Sequence, residues 1–91
     1  MEINNVFKIL GNADRLQIIE GLKSIGELNV QQIEAYTNIH QPTLSQQLTI
    51  LRKAELVATR RDGKQIFYQI NDGRVVDLIE RATKLFNGAA A

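Results

Sequence analysis

The chain has 91 residues and no cysteine, which indicates one domain without disulfides, thiolate metal sites or thiol redox chemistry. With 44% hydrophobic and 23% charged residues it is composed like a globular protein, and its apolar runs are far shorter than the ~20 residues that span a bilayer. The formal net charge is only +1, but residues 40 to 68 carry five basic against two acidic residues, and the rest carries six against eight. This local excess favours contact with a polyanion. Because no cationic, apolar leader is present, we expect a cytoplasmic protein.

Apolar side chains that repeat every three or four residues predict three helices in the first part of the chain. The first helix ends near Gly11, and its apolar residues are Ile3, Val6, Phe7 and Leu10. Asn12 is the expected N-cap of the second helix, whose apolar stripe consists of Leu16, Ile18, Ile19 and Leu22. Asn29 is expected to cap the third helix, because Gln32 three residues later completes a capping box.

A short turn at residues 38 to 41 separates the third helix from a fourth that is predicted to begin at Pro42. Proline is favoured at the first position of a helix. The inward stripe of this fourth helix is Leu44, Leu48 and Leu51. Its other positions are almost all uncharged and polar, and comprise Thr43, Ser45, Gln46, Gln47 and Thr49, with Ile50 among them. Such a helix suits the reading of base edges, although an uncharged surface helix would show the same residues.

Two strands are predicted next, at residues 56–61 and 65–70, joined by a turn at Asp62 and Gly63. Asp-Gly between β-type runs is a strong hairpin signal, because both residues tolerate a positive φ. Asn71 is the expected cap of a last helix with the apolar residues Val75, Val76, Leu78, Ile79, Ala82, Leu85 and Phe86. We expect Phe67 to pack on the helices and Tyr68 to lie nearer the solvent.

The predicted order α-α-α-α-β-β-α describes a mainly helical winged helix-turn-helix domain at residues 1–87. In such domains one helix lies in the major groove and the hairpin, or wing, touches the flanking backbone. Glutamine, serine and threonine can bond base edges, which makes Thr43, Ser45, Gln46 and Gln47 candidate DNA-reading residues. The candidate phosphate contacts are Arg52, Arg60, Arg61 and Lys64. Exposed charge also keeps a hairpin soluble, and Arg52 suits the helix dipole, so structural roles stay open.

The first and last helices carry more apolar residues than a small monomer needs. Exposed apolar patches usually mark interfaces, and a two-fold dimer is the commonest closed assembly. We therefore expect a homodimer through the first and last helices. The alternative is that both helices simply complete a small core.

Two segments carry a family resemblance: QPTLSQQLTILRKAELV followed by TRRDGKQIFYQI, and ADRLQII at residues 13–19. With these segments the chain resembles, over nearly its whole length, the ArsR/SmtB family of small bacterial winged-helix repressors. The resemblance implies a homodimer that represses its own transcription at an inverted repeat and is released by an inducer. It places Gln41, Thr43, Ser45, Gln46 and Gln47 on the recognition helix and Arg61 and Lys64 on the wing.

The chain departs from the family pattern in several places. Gln47 stands where many relatives have histidine. Glu55 stands where a glycine usually ends the recognition helix, so we expect a different cap there. The segment at residues 28–31 and the last helix lack the cysteines and histidines of the family's metal sites, and no sulfur-sensing cysteine pair exists. We therefore expect no metal or cofactor. Release would depend on a small organic ligand, a protein or the abundance of the repressor.

Other classes of function fit the residues less well. One histidine and no cysteine provide no nucleophile–base pair or metal cluster, which argues against an enzyme. Stacking aromatic residues are scarce, which argues against RNA binding. A protein-interaction module that keeps the fold without binding specific DNA is the main alternative. Residues 88–91 are expected to be a disordered tail or a cloning remnant.

Overall fold

The computed structural model describes residues 1–87, which form five helices and a three-stranded antiparallel sheet. The elements in chain order are α1 (Ile3–Leu10), α2 (Ala13–Ile25), β1 (Leu28–Asn29), α3 (Val30–Thr37), α4 (Thr43–Lys53), β2 (Val57–Asp62), β3 (Gln65–Ile70) and α5 (Gly73–Phe86). The predicted winged helix-turn-helix is confirmed, but the predicted order omits β1. This two-residue strand pairs with β3 and gives the strand order β1-β3-β2. The expected tail lies outside the described residues.

Side-chain caps fix the starts of α2, α3 and α5. The Asn12 side chain accepts a hydrogen bond from the backbone N–H of Arg15, and Asn29 and Gln32 form the predicted capping box. Two predicted starts shift by one residue. Pro42 is the N-cap of α4 rather than its first residue, and Asp72 rather than Asn71 caps α5.

The end of α4 is tied to the start of the wing by an unusual backbone conformation. Glu55 has φ +62°, its N–H donates to the carbonyl of Arg52 at 3.0 Å, and the N–H of Leu56 donates to the carbonyl of Leu51 at 3.2 Å. These are the two bonds of a Schellman motif, whose left-handed residue is usually glycine. The expectation of a different cap at Glu55 is therefore wrong, because Glu55 adopts the conformation that a glycine would. The Asn71 side chain then donates to the Glu55 carbonyl at 3.0 Å. The motif therefore fixes the angle at which the chain leaves α4.

One apolar core joins the helices to the inner face of the sheet. Its buried side chains are Ile18, Ile19, Leu22, Leu28, Ile33, Ile39, Leu44, Leu48, Leu51, Leu56, Val57, Val75 and Ile79. Leu16 was predicted to share the α2 stripe but is 37% exposed. No helix among residues 1–87 has the length and apolar character needed to cross a bilayer.

The orientation of the two wing aromatics is the reverse of the one predicted. Tyr68 pairs with Leu28 and Thr59 and packs against the core, whereas Phe67 lies opposite Arg60 on the other face. Side chains alternate between the faces of a strand, so one inward residue determines all the others. The buried partner in β1, which was not predicted, explains why Tyr68 is the inward residue.

Candidate nucleic-acid interface

Three leucines fix which face α4 presents to solvent. Leu44 and Leu51 are fully buried and Leu48 is 2% exposed, so this stripe anchors the helix on the core. The turn before α4 starts at Asn38, which caps α3 with φ 60°. Because the leucines face the core, the solvent-facing side of α4 exposes Thr43, Ser45, Gln46 and Ile50. This surface has the uncharged polar character expected of a helix that reads base edges.

Gln41 and Ser45 form a local cap at the start of α4. The Gln41 Oε1 accepts hydrogen bonds from the Ser45 backbone N–H at 3.1 Å and from the Ser45 hydroxyl at 2.6 Å. Pro42, the formal N-cap, has no side-chain acceptor, so Gln41 supplies the oxygen that the first turn of the helix needs. The Gln41 amide N–H groups and the lone pairs of the Ser45 hydroxyl remain for an external partner.

Gln47 is held by a residue that the sequence analysis did not single out. Its Oε1 accepts a hydrogen bond from Arg15 Nη1 at 2.7 Å, and both side chains are half-buried. Gln46, in contrast, makes no side-chain hydrogen bond within residues 1–87 and is exposed. The two neighbouring glutamines therefore differ in freedom. Arg15 and Gln47 are 32 residues apart in the chain, so no local sequence pattern indicates this contact.

The wing ends in a two-residue turn, formed by Gly63 and Lys64 rather than by the predicted pair. Asp62 and Gln65 face each other as the last pair of the ladder, and Gly63 has φ +63°. A glycine suits this left-handed position. Arg61 and Lys64 are exposed and form no ion pair within residues 1–87, so both stay available to phosphates.

Arg60, one of the candidate phosphate contacts, is bonded instead to Glu27. Its Nη2 lies 2.6 Å from Glu27 Oε1, its Nε donates to Glu27 Oε2 at 3.0 Å, and its Cζ lies 4.8 Å from the centre of the Phe67 ring. The hydrogen bond from Arg60 lowers the pKa of Glu27 and raises that of Arg60. A second bond, from Asn29 Nδ2 to Gln65 Oε1 at 3.0 Å, joins the same regions. Together these contacts brace the wing against the start of α3.

Two exposed basic residues and the one histidine lie near the ends of α4. Arg52 and Lys53 occupy its last turn and are exposed, a position that suits both the helix dipole and a phosphate contact. His40 Nδ1 lies 2.9 Å from Glu34 Oε2. Within residues 1–87 no three histidine, aspartate or glutamate side chains come together as metal ligands would.

A separate apolar surface lies on α1 and α5. Ile3 is 61% exposed, Phe7 57%, Leu85 75% and Phe86 84%. Single exposed apolar residues are ordinary, but four large ones on two helices are unusual in a domain of this size.

Comparison with known proteins identifies the family. The model described as "Bacterial regulatory protein, arsR family" matches residues 12–59, from the start of α2 into β2. The chain belongs to this family. Its exposed polar α4 lies beside a basic wing, and the protein is therefore a DNA-binding transcriptional repressor.

Individual arsR-family proteins are similar to this chain over nearly its full length. The chain is 42% identical to the "Biofilm growth-associated repressor" of Agrobacterium fabrum, over 93% of this chain and 72% of that protein. It is 33% identical to the "Transcriptional repressor SdpR" of Bacillus subtilis, over 93% of both. The crystal structure of the repressor BigR from Xylella fastidiosa superposes with a TM-score of 0.87 and 38% identity, covering 92% of this chain and 85% of that one.

Proposed function

We propose that two copies of this repressor bind an inverted repeat in double-stranded DNA, with α4 of each copy in the major groove and each wing on the flanking backbone. The observation that carries the proposal is the anchoring of α4 by Leu44, Leu48 and Leu51, which turns its polar face outward beside the wing. In a two-fold dimer the recognition helices would lie about one DNA turn apart, ~34–36 Å. A catalytic role forms no part of this proposal.

The residues divide into two kinds of contact. Base edges and the nearest sugar–phosphates are assigned to Gln41, Thr43, Ser45, Gln46 and Gln47. Phosphates are assigned to Arg52, Arg61 and Lys64, which are exposed. For Arg60, the ion pair with Glu27 favours a bracing role over the predicted phosphate contact.

The exposed apolar residues of α1 and α5 support the two-fold dimer. Burying large apolar side chains favours an assembly by about 25 cal/mol for each Å² of apolar surface removed from water, before the entropic costs of association. Ile3, Phe7, Leu85 and Phe86 are the most exposed of these side chains on the two helices. A dimer formed there would leave α4 and the wing of each copy free for DNA.

A groove beside the proposed dimer surface is where an inducer would bind. A groove of about 590 Å³ lies between α1, the end of α4 and the start of α5, with Val6, Leu56 and Leu78 among its lining residues. Small-molecule sites commonly have volumes of 300–1,000 Å³. A small organic ligand bound there would lie next to the proposed dimer surface and to Glu55, which ends α4. A protein inducer would bind the same helices.

As a member of a bacterial regulatory family, the repressor would meet its DNA target in the cytoplasm.

Selection from random duplex DNA tests the proposal. Purified protein is incubated with the pool at near-physiological salt, because affinity for DNA depends steeply on salt concentration. The expected result is an enriched inverted repeat whose half-sites are centred about 10–10.5 base pairs apart. A folded protein that enriches no sequence would contradict specific DNA binding and would favour a protein-interaction module. The matched variant is Gln46→Ala, Lys64→Ala, which is expected to bind DNA more weakly and to lose its preference only at the base pair that Gln46 contacts.

A further inference from the structure

Arg15 links three elements through one guanidinium group. Its Nε donates to the carbonyl of Ile9 at 2.7 Å, its Nη2 lies 3.5 Å from the carbonyl of Lys8, and its Nη1 donates to Gln47 Oε1 at 2.7 Å. The two carbonyls belong to the last turn of α1, where backbone acceptors lack partners within the helix. Arg15 is therefore held in place by α1, while its third bond fixes a side chain of α4.

The chemistry of arginine determines which end of the Gln47 amide faces it. A guanidinium has only donors, so the amide oxygen must point toward Arg15 and the amide nitrogen must point away from it. One lone pair of the oxygen remains, but a donor placed on it would lie beside the positive charge of the guanidinium. The N–H groups of Gln47 are consequently favoured as its contact with any external partner.

We propose that Gln47 reads DNA as a hydrogen-bond donor and selects guanine, with Arg15 as the positioning residue that sets this preference. The inference rests on the proposed function, since it assumes that α4 lies in the major groove. Guanine presents two adjacent acceptors there, N7 and O6, whereas adenine presents the acceptor N7 beside the donor N6. A free glutamine bonds adenine through both ends of its amide. Gln46 is free to do so, and Gln47 is not.

The test compares base preferences of variants by selection from random duplex DNA. The position read by Gln47 is the one whose preference disappears in Gln47→Ala. There the unmodified protein is expected to prefer guanine over adenine roughly tenfold. Arg15→Met is expected to bring that ratio close to one, while the base preferences at other positions stay unchanged. Arg15→Lys retains a donor and is expected to keep the preference for guanine. A purely structural role for Arg15 would instead weaken all sequences alike.

A second variant decides the matter if Arg15→Met fails to fold. Gln47→Glu has no donor, so guanine is expected to be replaced by cytosine, whose N4 can donate to a carboxylate. Gln46→Glu is the matched control, because it should change a different position of the same half-site.

Three results would overturn the inference. They are selection of adenine by the unmodified protein at the Gln47 position, an unchanged guanine preference in a folded Arg15→Met protein, and retention of guanine by Gln47→Glu. A failure of the proposed function looks different. In that case the unmodified protein enriches no motif, and the inference falls with it.

Discussion

Glu55→Gly is expected to make the repressor more stable. Glu55 has φ +62° at the end of α4, and its exposed side chain forms no hydrogen bond or ion pair within residues 1–87. An L-residue in the left-handed region costs roughly 1–2 kcal/mol, which glycine avoids. Glycine in turn raises the entropy of the unfolded chain, at a cost of about 0.4–1 kcal/mol. The net expectation is a stabilisation of about 0.5–1 kcal/mol.

Thermal unfolding at a fixed protein concentration measures this effect. For a domain of this size, the expected gain corresponds to a rise in Tm of about 2–8 °C. Glu55→Ala is the matched control, because alanine also removes the carboxylate but keeps the β-carbon and therefore the strain. Its Tm should stay close to that of the unmodified protein. A Glu55→Gly protein no more stable than Glu55→Ala would refute the assignment of strain to this position.

Three further outcomes follow from the structure. Hydrogen bonds from the side chain of Arg74, and then from its backbone N–H, lower the pKa of Asp72 to about 2. Ionised Asp72 therefore stabilises the fold above its ordinary pKa near 3.8, and this stabilisation is lost as the pH falls through 2. Denaturation in urea should therefore show Asp72→Asn less stable at pH 6 and the two proteins converging at pH 2. Lys64→Ala should weaken binding to all sequences alike and reduce the slope of log affinity against log salt by about 1. Phe7→Glu should convert the dimer to a monomer in analytical sedimentation. Ile25→Glu is the control, because Ile25 at the end of α2 is as exposed as Phe7 but lies outside the proposed interface. A Phe7→Glu protein that stays dimeric would contradict the assigned interface.

Local sequence patterns predicted the elements that carry local signals. The leucine stripe of α4, the capping box at Asn29 and Gln32, and the hairpin each depend on residues a few positions apart. Patterns of this kind are readable because helix and strand periodicities and turn conformations repeat over short distances.

Contacts between distant segments could not be predicted in this way. β1 has two residues, too few for a strand pattern, and its pairing with β3 turned Tyr68 rather than Phe67 toward the core. The bond from Arg15 to Gln47 and the ion pair of Arg60 with Glu27 span 32 and 33 residues. Arginine at either position looks like an ordinary surface charge until the fold supplies its partner.

Directed DNA cleavage would test most directly whether α4 lies in the major groove and the wing on the flanking backbone. The chain has no cysteine, so Ile50→Cys on α4 or Asp62→Cys at the wing tip provides a unique attachment point for an iron chelate that cleaves nearby DNA. Ser24→Cys, exposed near the end of α2, is the control.

On the enriched duplex, we expect cleavage within each half-site from the α4 position and cleavage in the flanking DNA from the wing position. The control position should produce little cleavage. Cleavage from Ser24→Cys as strong as that from Ile50→Cys would contradict the placement of α4 in the major groove. The same holds if a protein still bound to the duplex gives no localised cleavage from the α4 position.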